Sequence, residues 1–218
     1  MIPTPDTRHL RRAEYAEHVY DPAEDTFALL DALEQDADAL RALHATLCIE
    51  IGSGSGCVAA FAARIVGDAA YLCTDINRAA VQCTVETGTR NDCALETAQT
   101  SILDALRPRI DGCVDLMLFN PPYVVTSEAE EAAEQCRADL GGAWAGGVAG
   151  TKLVDRLITT GAVEQVLRPG GRFYLVAIQR NNPEALVTML KRHGLNAGVV
   201  LQRRANRELL FIIRAIRP

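Results

Sequence analysis

Residues 47–57 read Leu-Cys-Ile-Glu-Ile-Gly-Ser-Gly-Ser-Gly-Cys, a short apolar run that ends in three alternating glycines. The apolar run is typical of a buried strand, and residues 57–66 return to the apolar spacing of a helix. Glycine permits a tight turn and lets the backbone approach a ligand closely. The segment therefore predicts a strand, a glycine loop and a helix that together bind a cofactor.

The spacing of these glycines distinguishes between cofactors. A dinucleotide fingerprint has the form G-x-G-x-x-G, and counted from Gly52 its third glycine would fall on Cys57. The chain instead carries an acidic residue, Glu50, followed by glycines at alternate positions, which are Gly52, Gly54 and Gly56. This pattern favours a positively charged cofactor without a pyrophosphate, and it indicates S-adenosylmethionine rather than NAD.

Two further carboxylates follow predicted strands. Asp75 comes directly after a strand predicted over residues 71–74, where a carboxylate accepts hydrogen bonds from ribose hydroxyls. Asp104 follows a strand predicted over residues 99–103, and there it would accept a hydrogen bond from the adenine amino group. Taken alone, each acid is equally compatible with a solvated loop or a helix cap. Their register with the glycine loop favours the cofactor site.

Apolar strands alternate with helices along the chain. The spacing predicts helices over 25–43, 79–90, 152–167 and 183–193, strands over 114–119 and 172–178, and a final hairpin over 198–201 and 208–213. Such alternation indicates a parallel sheet covered on both faces. We therefore predict an α/β, Rossmann-like class I methyltransferase fold, with a seven-stranded, mostly parallel sheet and an antiparallel terminal hairpin, in a single domain of residues 1–218.

The strand predicted over residues 114–119 leads into Asn120-Pro121-Pro122-Tyr123. An amide nitrogen is a poor nucleophile because its lone pair is delocalised. The side-chain carbonyl of Asn120 and the main-chain carbonyl of Pro121 can accept its two hydrogens and direct that lone pair at a methyl donor. Proline stiffens the turn, and Tyr123 can pack against a planar amide or base. We predict Asn120, Pro121 and Tyr123 as catalytic, against the alternative of a merely rigid turn.

Composition narrows the range of partners. The 218 residues carry a net charge of −6, which argues against binding duplex nucleic acid by phosphate neutralisation. No apolar stretch reaches the roughly 20 residues of a membrane span, and the first residues lack the pattern of a signal peptide, so we expect a cytoplasmic protein. The seven cysteines show no C-x-x-C pair and lie mostly in apolar segments, which predicts buried thiols and no metal site.

With these motifs laid out, the chain resembles the HemK-type release-factor glutamine methyltransferases, in particular their eukaryotic and archaeal branch. The resemblance covers nearly the whole length. It includes Val-Tyr-Asp-Pro-Ala-Glu-Asp-Thr-Phe at 19–27, Asn-Pro-Pro-Tyr-Val-Val at 120–125 and Ala-Trp-Ala-Gly-Gly at 143–147. It implies methylation of the side-chain amide of the glutamine in the Gly-Gly-Gln loop of a class 1 peptide-chain release factor.

The resemblance also implies roles for particular residues. Tyr20 and Thr26 would line the methionine end of the cofactor site, which makes residues 1–24 an extension that contributes to that site. Asn120 would contact the cofactor as well as the substrate, and Pro122 would contact the substrate. Ala105 stands where relatives carry a larger apolar residue against the adenine. Trp144 is compatible with either a substrate contact or a place in the core.

The resemblance to this branch also implies that the chain is an obligate partner of a small zinc-binding activator protein. The third strand would lie at an edge of the sheet, where exposed backbone can accept a strand from a partner.

Three other functions remain open, which are methylation of adenine in nucleic acid, methylation of protein lysine, and a non-catalytic scaffold. A base-flipping enzyme would need a basic channel, which this acidic chain does not clearly show. The acidic segment 128–134 is compatible with a solvated helix or a lid.

Overall fold

The computed structural model describes residues 1–122, 152–205 and 208–218. Its strands are β1 (Leu47–Ile51), β2 (Ala70–Asp75), β3 (Leu95–Gln99), β4 (Val114–Phe119), β5 (Leu167–Ile178), β6 (Asn196–Ala205) and β7 (Glu208–Ile216). Its helices are α1 (Ala13–Ala16), α2 (Glu24–Gln35), α3 (Ala37–Arg41), α4 (Cys57–Val66), α5 (Arg78–Arg90), α6 (Lys152–Thr159), α7 (Ala162–Val166) and α8 (Pro183–Arg192), with 3-10 turns at Arg8–Arg11 and Gln179–Asn181.

The seven strands form one sheet in the order β3-β2-β1-β4-β5-β7-β6. The pairs from β3 through β5 are parallel, whereas β7 runs antiparallel to both β5 and β6. The predicted sheet and its antiparallel hairpin are therefore confirmed. The chain reverses its direction of winding between β1 and β4, and open α/β sheets bind ligands at the carboxyl ends of the strands at such a point.

An apolar core covers each face of the sheet. One cluster joins α2 and α4 to the sheet and includes the fully buried Leu29, Leu33 and Tyr174. The other joins α6, α7 and α8 to the opposite face and includes Phe119 and Phe173. Both faces of β4 are buried, and its near-continuous apolar sequence reflects this position in the centre of the sheet.

The strand predicted over residues 99–103 is wrong, because β3 spans Leu95–Gln99. The apolar pair Ile102 and Leu103 that suggested a strand lies in turns and packs into one of the core clusters. The true strand has a single buried residue, Leu95, since it lies at the edge of the sheet. Its edge position agrees with the prediction, although its bounds do not.

Two predicted helices are each divided in the structure. The helix predicted over 25–43 consists of α2 and α3, which meet at Asp36. The helix predicted over 152–167 breaks at Gly161, whose φ of 68° lies in the left-handed region. Apolar periodicity continues across both breaks, so it gave no sign of them. Strand β5 also begins earlier than predicted and includes the Pro-Gly-Gly segment at 169–171.

The N-terminal segment, residues 1–20, packs along α5. His9 is buried there beside Cys83 and Thr87, with its Nε2 atom 3.1 Å from the Thr87 hydroxyl. The Asn77 side chain donates a 2.6 Å hydrogen bond to the carbonyl of His18, next to Tyr20. These contacts hold the segment against the body of the protein and carry Tyr20 to the end of the sheet.

Candidate active site

A cavity of about 320 Å³ lies at the carboxyl ends of β1, β2 and β4. The N-terminal segment, the start of α2 and the glycine loop complete its wall. The structure brings together nine residues that the sequence predicted for the site, namely Tyr20, Thr26, Glu50, Gly52, Gly54, Asp75, Asn120, Pro121 and Pro122. The cavity therefore unites motifs from four separate stretches of the chain.

The glycine loop turns through left-handed backbone conformations. Gly52, Gly54 and Gly56 have φ angles of 63°, 50° and 73°, which residues with a β-carbon adopt only with strain. Between them, the Ser53 amide donates a 3.0 Å hydrogen bond to the carbonyl of Thr74 at the end of β2. The loop is thus fixed to the neighbouring strand, and Gly52 and Gly54 face the cavity.

Gly56 does not line the cavity, but it allows the loop to pack against α5. A β-carbon at Gly56 would lie 3.0 Å from the Thr84 Cα atom, whereas one at Gly112, which also has a positive φ, would meet nothing within 4 Å. We expect Gly56→Ala to lower the melting temperature by at least about 4 °C more than Gly112→Ala, because the two share the backbone strain and only the first adds a clash. Thermal melts of the two variants check this, and equal melting temperatures would contradict it.

Two buried carboxyl groups face the cavity. Burial raises the pKa of Glu50 to about 8, opposed by a 2.8 Å hydrogen bond from the Ala59 amide. Burial also raises the pKa of Asp75, whose oxygens accept hydrogen bonds from the amides of Gly54 and Asn77 at 2.9 and 2.8 Å. Neither group has an ion pair within the described part of the chain. A ligand with positive charge or hydroxyl donors would relieve this unfavourable burial.

The raised pKa of Glu50 makes stability depend on pH. An unfolded glutamate has a pKa of about 4.3. Between about pH 4.3 and about pH 8 the folded protein therefore binds the proton on Glu50 more tightly than the unfolded chain does. This group therefore stabilises the fold most at low pH, and its contribution is lost as the pH rises towards 8. We expect the melting temperature of Glu50→Gln, measured relative to that of the wild type, to be higher at about pH 8.5 than at about pH 5.5. If the difference in melting temperature between the two proteins is the same at both pH values, the Glu50 carboxyl does not titrate between them.

Asn120 follows β4 and is among the residues that line the same cavity. Its Nδ2 atom donates a 3.0 Å hydrogen bond to Oδ2 of Asp25. Its Oδ1 atom is buried and has no hydrogen-bond partner among the described residues. A buried carbonyl oxygen without a partner is rare in native proteins, so this atom is a candidate to accept a hydrogen bond from a ligand. Pro121 and Pro122 continue the wall beside it.

Asp25 is a site residue that the sequence reasoning missed. It lies at the start of α2 with 4% of its surface exposed. Besides the bond from Asn120, its carboxylate accepts hydrogen bonds from the Tyr20 hydroxyl at 3.2 Å and from the Thr26 amide at 2.7 Å. It thus links three predicted site residues. An acidic residue in the first turn of a helix is usually explained by the helix dipole, which concealed this role in the sequence.

Asp104 and Ala105 are not among the residues that line the cavity. Asp104 is half exposed, and both its carboxylate oxygens lie 2.9 Å from the Arg156 guanidinium. The misplaced third strand explains the difference, because the chain enters the cavity directly after Gln99, at Thr100, Ser101 and Ile102. The adenine contact of Asp104 and Ala105 stays a prediction. Tyr123, Trp144 and the 128–134 segment lie outside the described residues.

The described cysteines form no disulfide, and those at 48, 57, 73 and 83 are buried. Burial raises the pKa of the Cys48 and Cys57 thiols to about 12. Within the described ranges no cluster of histidine, cysteine and acidic side chains is arranged to hold a metal ion. No helix in those ranges combines the length and the apolar character needed to cross a bilayer.

A sheet in the order 3-2-1-4-5-7-6 with a glycine-loop cavity at its switch point defines a Rossmann-like class I methyltransferase. The family model of the methyltransferase small domain matches residues 15–137. The chain is 42% identical over 214 residues to Methyltransferase HEMK2 of Mus musculus, covering 98% of this chain and 96% of that protein. It belongs to the HemK-type family of release-factor glutamine methyltransferases.

Two further comparisons agree with this placement. The eRF1 methyltransferase catalytic subunit mtq2 of Schizosaccharomyces pombe is 37% identical, with 100% of this chain and 96% of that protein covered. The solved structure of an E. cuniculi Mtq2–Trm112 complex, responsible for methylation of the eRF1 translation termination factor, matches with a TM-score of 0.67 at 22% identity. It covers 92% of this chain and 99% of the matched chain, and it shows the same fold.

Proposed function

We propose that this chain transfers a methyl group from S-adenosylmethionine to the side-chain amide nitrogen of the glutamine in the Gly-Gly-Gln loop of a class 1 peptide-chain release factor. The observation that carries the proposal is the Oδ1 atom of Asn120, which is buried, has no partner among the described residues and belongs to a residue that lines the cavity at the end of β4. The name of the Schizosaccharomyces pombe relative states that it methylates eRF1. Distant bacterial relatives are named release factor glutamine methyltransferases.

The residues of the cavity fit S-adenosylmethionine. Glu50 and Asp75 are buried carboxyl groups without an ion pair to any described residue, and they suit a cationic ligand that also carries ribose hydroxyls. Gly52 and Gly54 leave room for close approach along the backbone. Tyr20 and Thr26 close the side formed by the N-terminal segment. When bound, the cofactor supplies an electrophilic methyl group on a sulfonium.

The chain's own residues prepare the glutamine nitrogen. The Oδ1 atom of Asn120 accepts one amide hydrogen, and the main-chain carbonyl of Pro121 accepts the other. Together they orient the NH₂ group so that its lone pair faces the cofactor side of the cavity, and the rigid prolines keep the acceptors in place. No strong general base is required, because the amide proton becomes acidic as the new bond forms and can leave to water.

We further propose that a small zinc-binding activator protein pairs with the chain. The E. cuniculi structure is described as a complex of Mtq2 with Trm112. In this chain β3 forms one edge of the sheet, and only Leu95 of its five residues is buried. An exposed strand edge of this kind invites either aggregation or an added strand. A chain that is soluble, monomeric and fully active when purified alone would contradict this pairing, and zinc measured in the copurified complex tests the metal content of the partner.

The proposed activity is tested with methyl-labelled S-adenosylmethionine and a purified class 1 release factor, using the chain copurified with its activator. We expect one methyl group per release factor, located on the Gly-Gly-Gln glutamine by mass spectrometry. The Gln→Ala release factor is the matched control and should receive no label. Adenine-containing oligonucleotides and a lysine-rich protein form the other arms. Label in either of these arms, with none on the release factor, would replace the glutamine proposal.

A further inference from the structure

We propose that Asp25 is the positioning residue that fixes the amide of Asn120, and that through this contact it makes the site accept glutamine and reject glutamate. The inference rests on the proposed function, since it concerns how the same site selects its substrate side chain. Asp25 lies 95 residues from Asn120 in the sequence, and the two side chains meet at the cavity wall with a hydrogen bond of 3.0 Å.

The orientation of an asparagine amide is set by its partners, because its oxygen and nitrogen ends are nearly equal in shape and exchange by a half turn. A carboxylate accepts hydrogen bonds and does not donate them. The end of Asn120 that faces Asp25 is therefore the NH₂ group, and the oxygen must lie at the opposite end of the amide. The structure shows this arrangement, with Nδ2 on the carboxylate and Oδ1 buried without a partner among the described residues.

Asp25 is itself held in place. Its Oδ1 atom accepts hydrogen bonds from the Thr26 amide at 2.7 Å and the Tyr20 hydroxyl at 3.2 Å, and its Oδ2 atom accepts the bond from Asn120. The residue is almost completely buried at the first turn of α2. The N-terminal segment and α2 thus combine to hold one carboxylate oxygen in place against Asn120.

The consequence is a choice between two nearly isosteric substrates. A glutamine side chain presents an NH₂ donor to the Oδ1 atom of Asn120, whereas a glutamate carboxylate would present a second acceptor and repel it. A site whose polar groups are fixed in this way discriminates strongly, because the wrong substrate leaves a buried polar group unpaired. If the Asn120 amide were free to turn, its NH₂ group would bind a carboxylate and the discrimination would fall.

The test compares Asp25→Asn with Glu24→Gln. The first replacement keeps an oxygen acceptor for the Thr26 amide but brings an NH₂ group that can donate to the Oδ1 atom of Asn120 and turn that amide around. The second removes the same charge from the neighbouring position on α2, where the side chain is exposed. Each protein is copurified with its activator and studied with the same release factor.

Two measurements separate positioning from general structure. The first is the single-turnover rate of methyl transfer, which we expect to fall at least about tenfold in Asp25→Asn and to stay within about twofold in Glu24→Gln. The second uses no turnover. It is the Kd for the Gln→Glu release factor divided by the Kd for the unchanged release factor, both measured with S-adenosylhomocysteine present. We expect this ratio to fall at least about tenfold in Asp25→Asn.

The outcomes are distinct. If the wild type does not label the glutamine, the proposed function fails, and the inference fails with it. If the wild type is active but Asp25→Asn keeps both its rate and its Gln-to-Glu ratio, the positioning role alone is wrong. A fall in rate with an unchanged ratio would also overturn the specificity role. If thermal melts show that Asp25→Asn does not fold, Asp25→Ser takes its place, because its hydroxyl is one bond shorter than the carboxylate and leaves Nδ2 of Asn120 unheld.

Discussion

Replacing Asn120 by alanine is expected to lower kcat by roughly 10²- to 10³-fold, which is the usual cost of removing one fixed polar group that acts on the reacting atoms. The Kd for S-adenosylmethionine should change by less than about threefold, because the glycine loop and the two cavity carboxylates remain. The physical reason is that Oδ1 of Asn120 is a buried acceptor without a partner among the described residues, on a residue that lines the cavity. Steady-state methylation and calorimetric titration of the cofactor measure the two effects separately.

The matched control is Asn196→Ala, which makes the same change at the exposed start of β6. It should leave both kcat and cofactor affinity unchanged. A large loss of cofactor binding in Asn120→Ala, rather than a loss of kcat, would assign Asn120 to the structure of the site instead of its chemistry.

The second large effect is expected on cofactor affinity. Asp75→Ala should raise the Kd for S-adenosylmethionine by about 100-fold, since hydrogen bonds to a charged group contribute about 1.5–3 kcal/mol and each 1.4 kcal/mol is about tenfold in Kd. The replacement also releases the amides of Gly54 and Asn77, which the carboxylate holds at 2.9 and 2.8 Å. The glycine loop would then lose its link to β2 at this point.

Asp104→Ala provides the comparison for Asp75→Ala. The sequence pattern predicts an adenine contact for Asp104, whereas in the structure its carboxylate is half exposed and pairs with Arg156. We expect its Kd for S-adenosylmethionine to stay within about twofold of the wild type, because an exposed ion pair contributes little. A loss comparable to that of Asp75→Ala would restore the adenine contact and show that this segment moves towards the cavity when the cofactor binds.

Local sequence signals identified the central part of the fold. Strand β1 was predicted with its observed bounds, and α4 likewise, because an apolar run, three glycines and a helical spacing follow one another without interruption. Strand β4 was equally clear, since a strand buried on both faces is almost continuously apolar, and Asp115 is the one polar residue in this strand. The residues at the ends of these elements, from Glu50 to Gly54 and from Asn120 to Pro122, are brought together as predicted.

Other features depend on contacts that no short stretch of sequence encodes. Strand β3 is mostly polar because it lies at an edge, so the buried turn at Ile102 and Leu103 gave a stronger strand signal than the strand itself. The error then moved the predicted adenine contact to Asp104. Asp25 was missed for a similar reason, since its partner Asn120 is 95 residues away and only the folded sheet brings the two together.

The central claim is that Asn120 presents an acceptor oxygen to a planar amide beside the methyl donor. The most direct measurement is a crystal structure of the chain, with its activator, bound to a stable analogue of S-adenosylmethionine and a Gly-Gly-Gln peptide. We expect the glutamine nitrogen to lie about 3–3.5 Å from the position of the transferable methyl group, with one of its hydrogens on Oδ1 of Asn120. An analogue bound outside the glycine-loop cavity, or an Asn120 oxygen turned away from the glutamine, would contradict it.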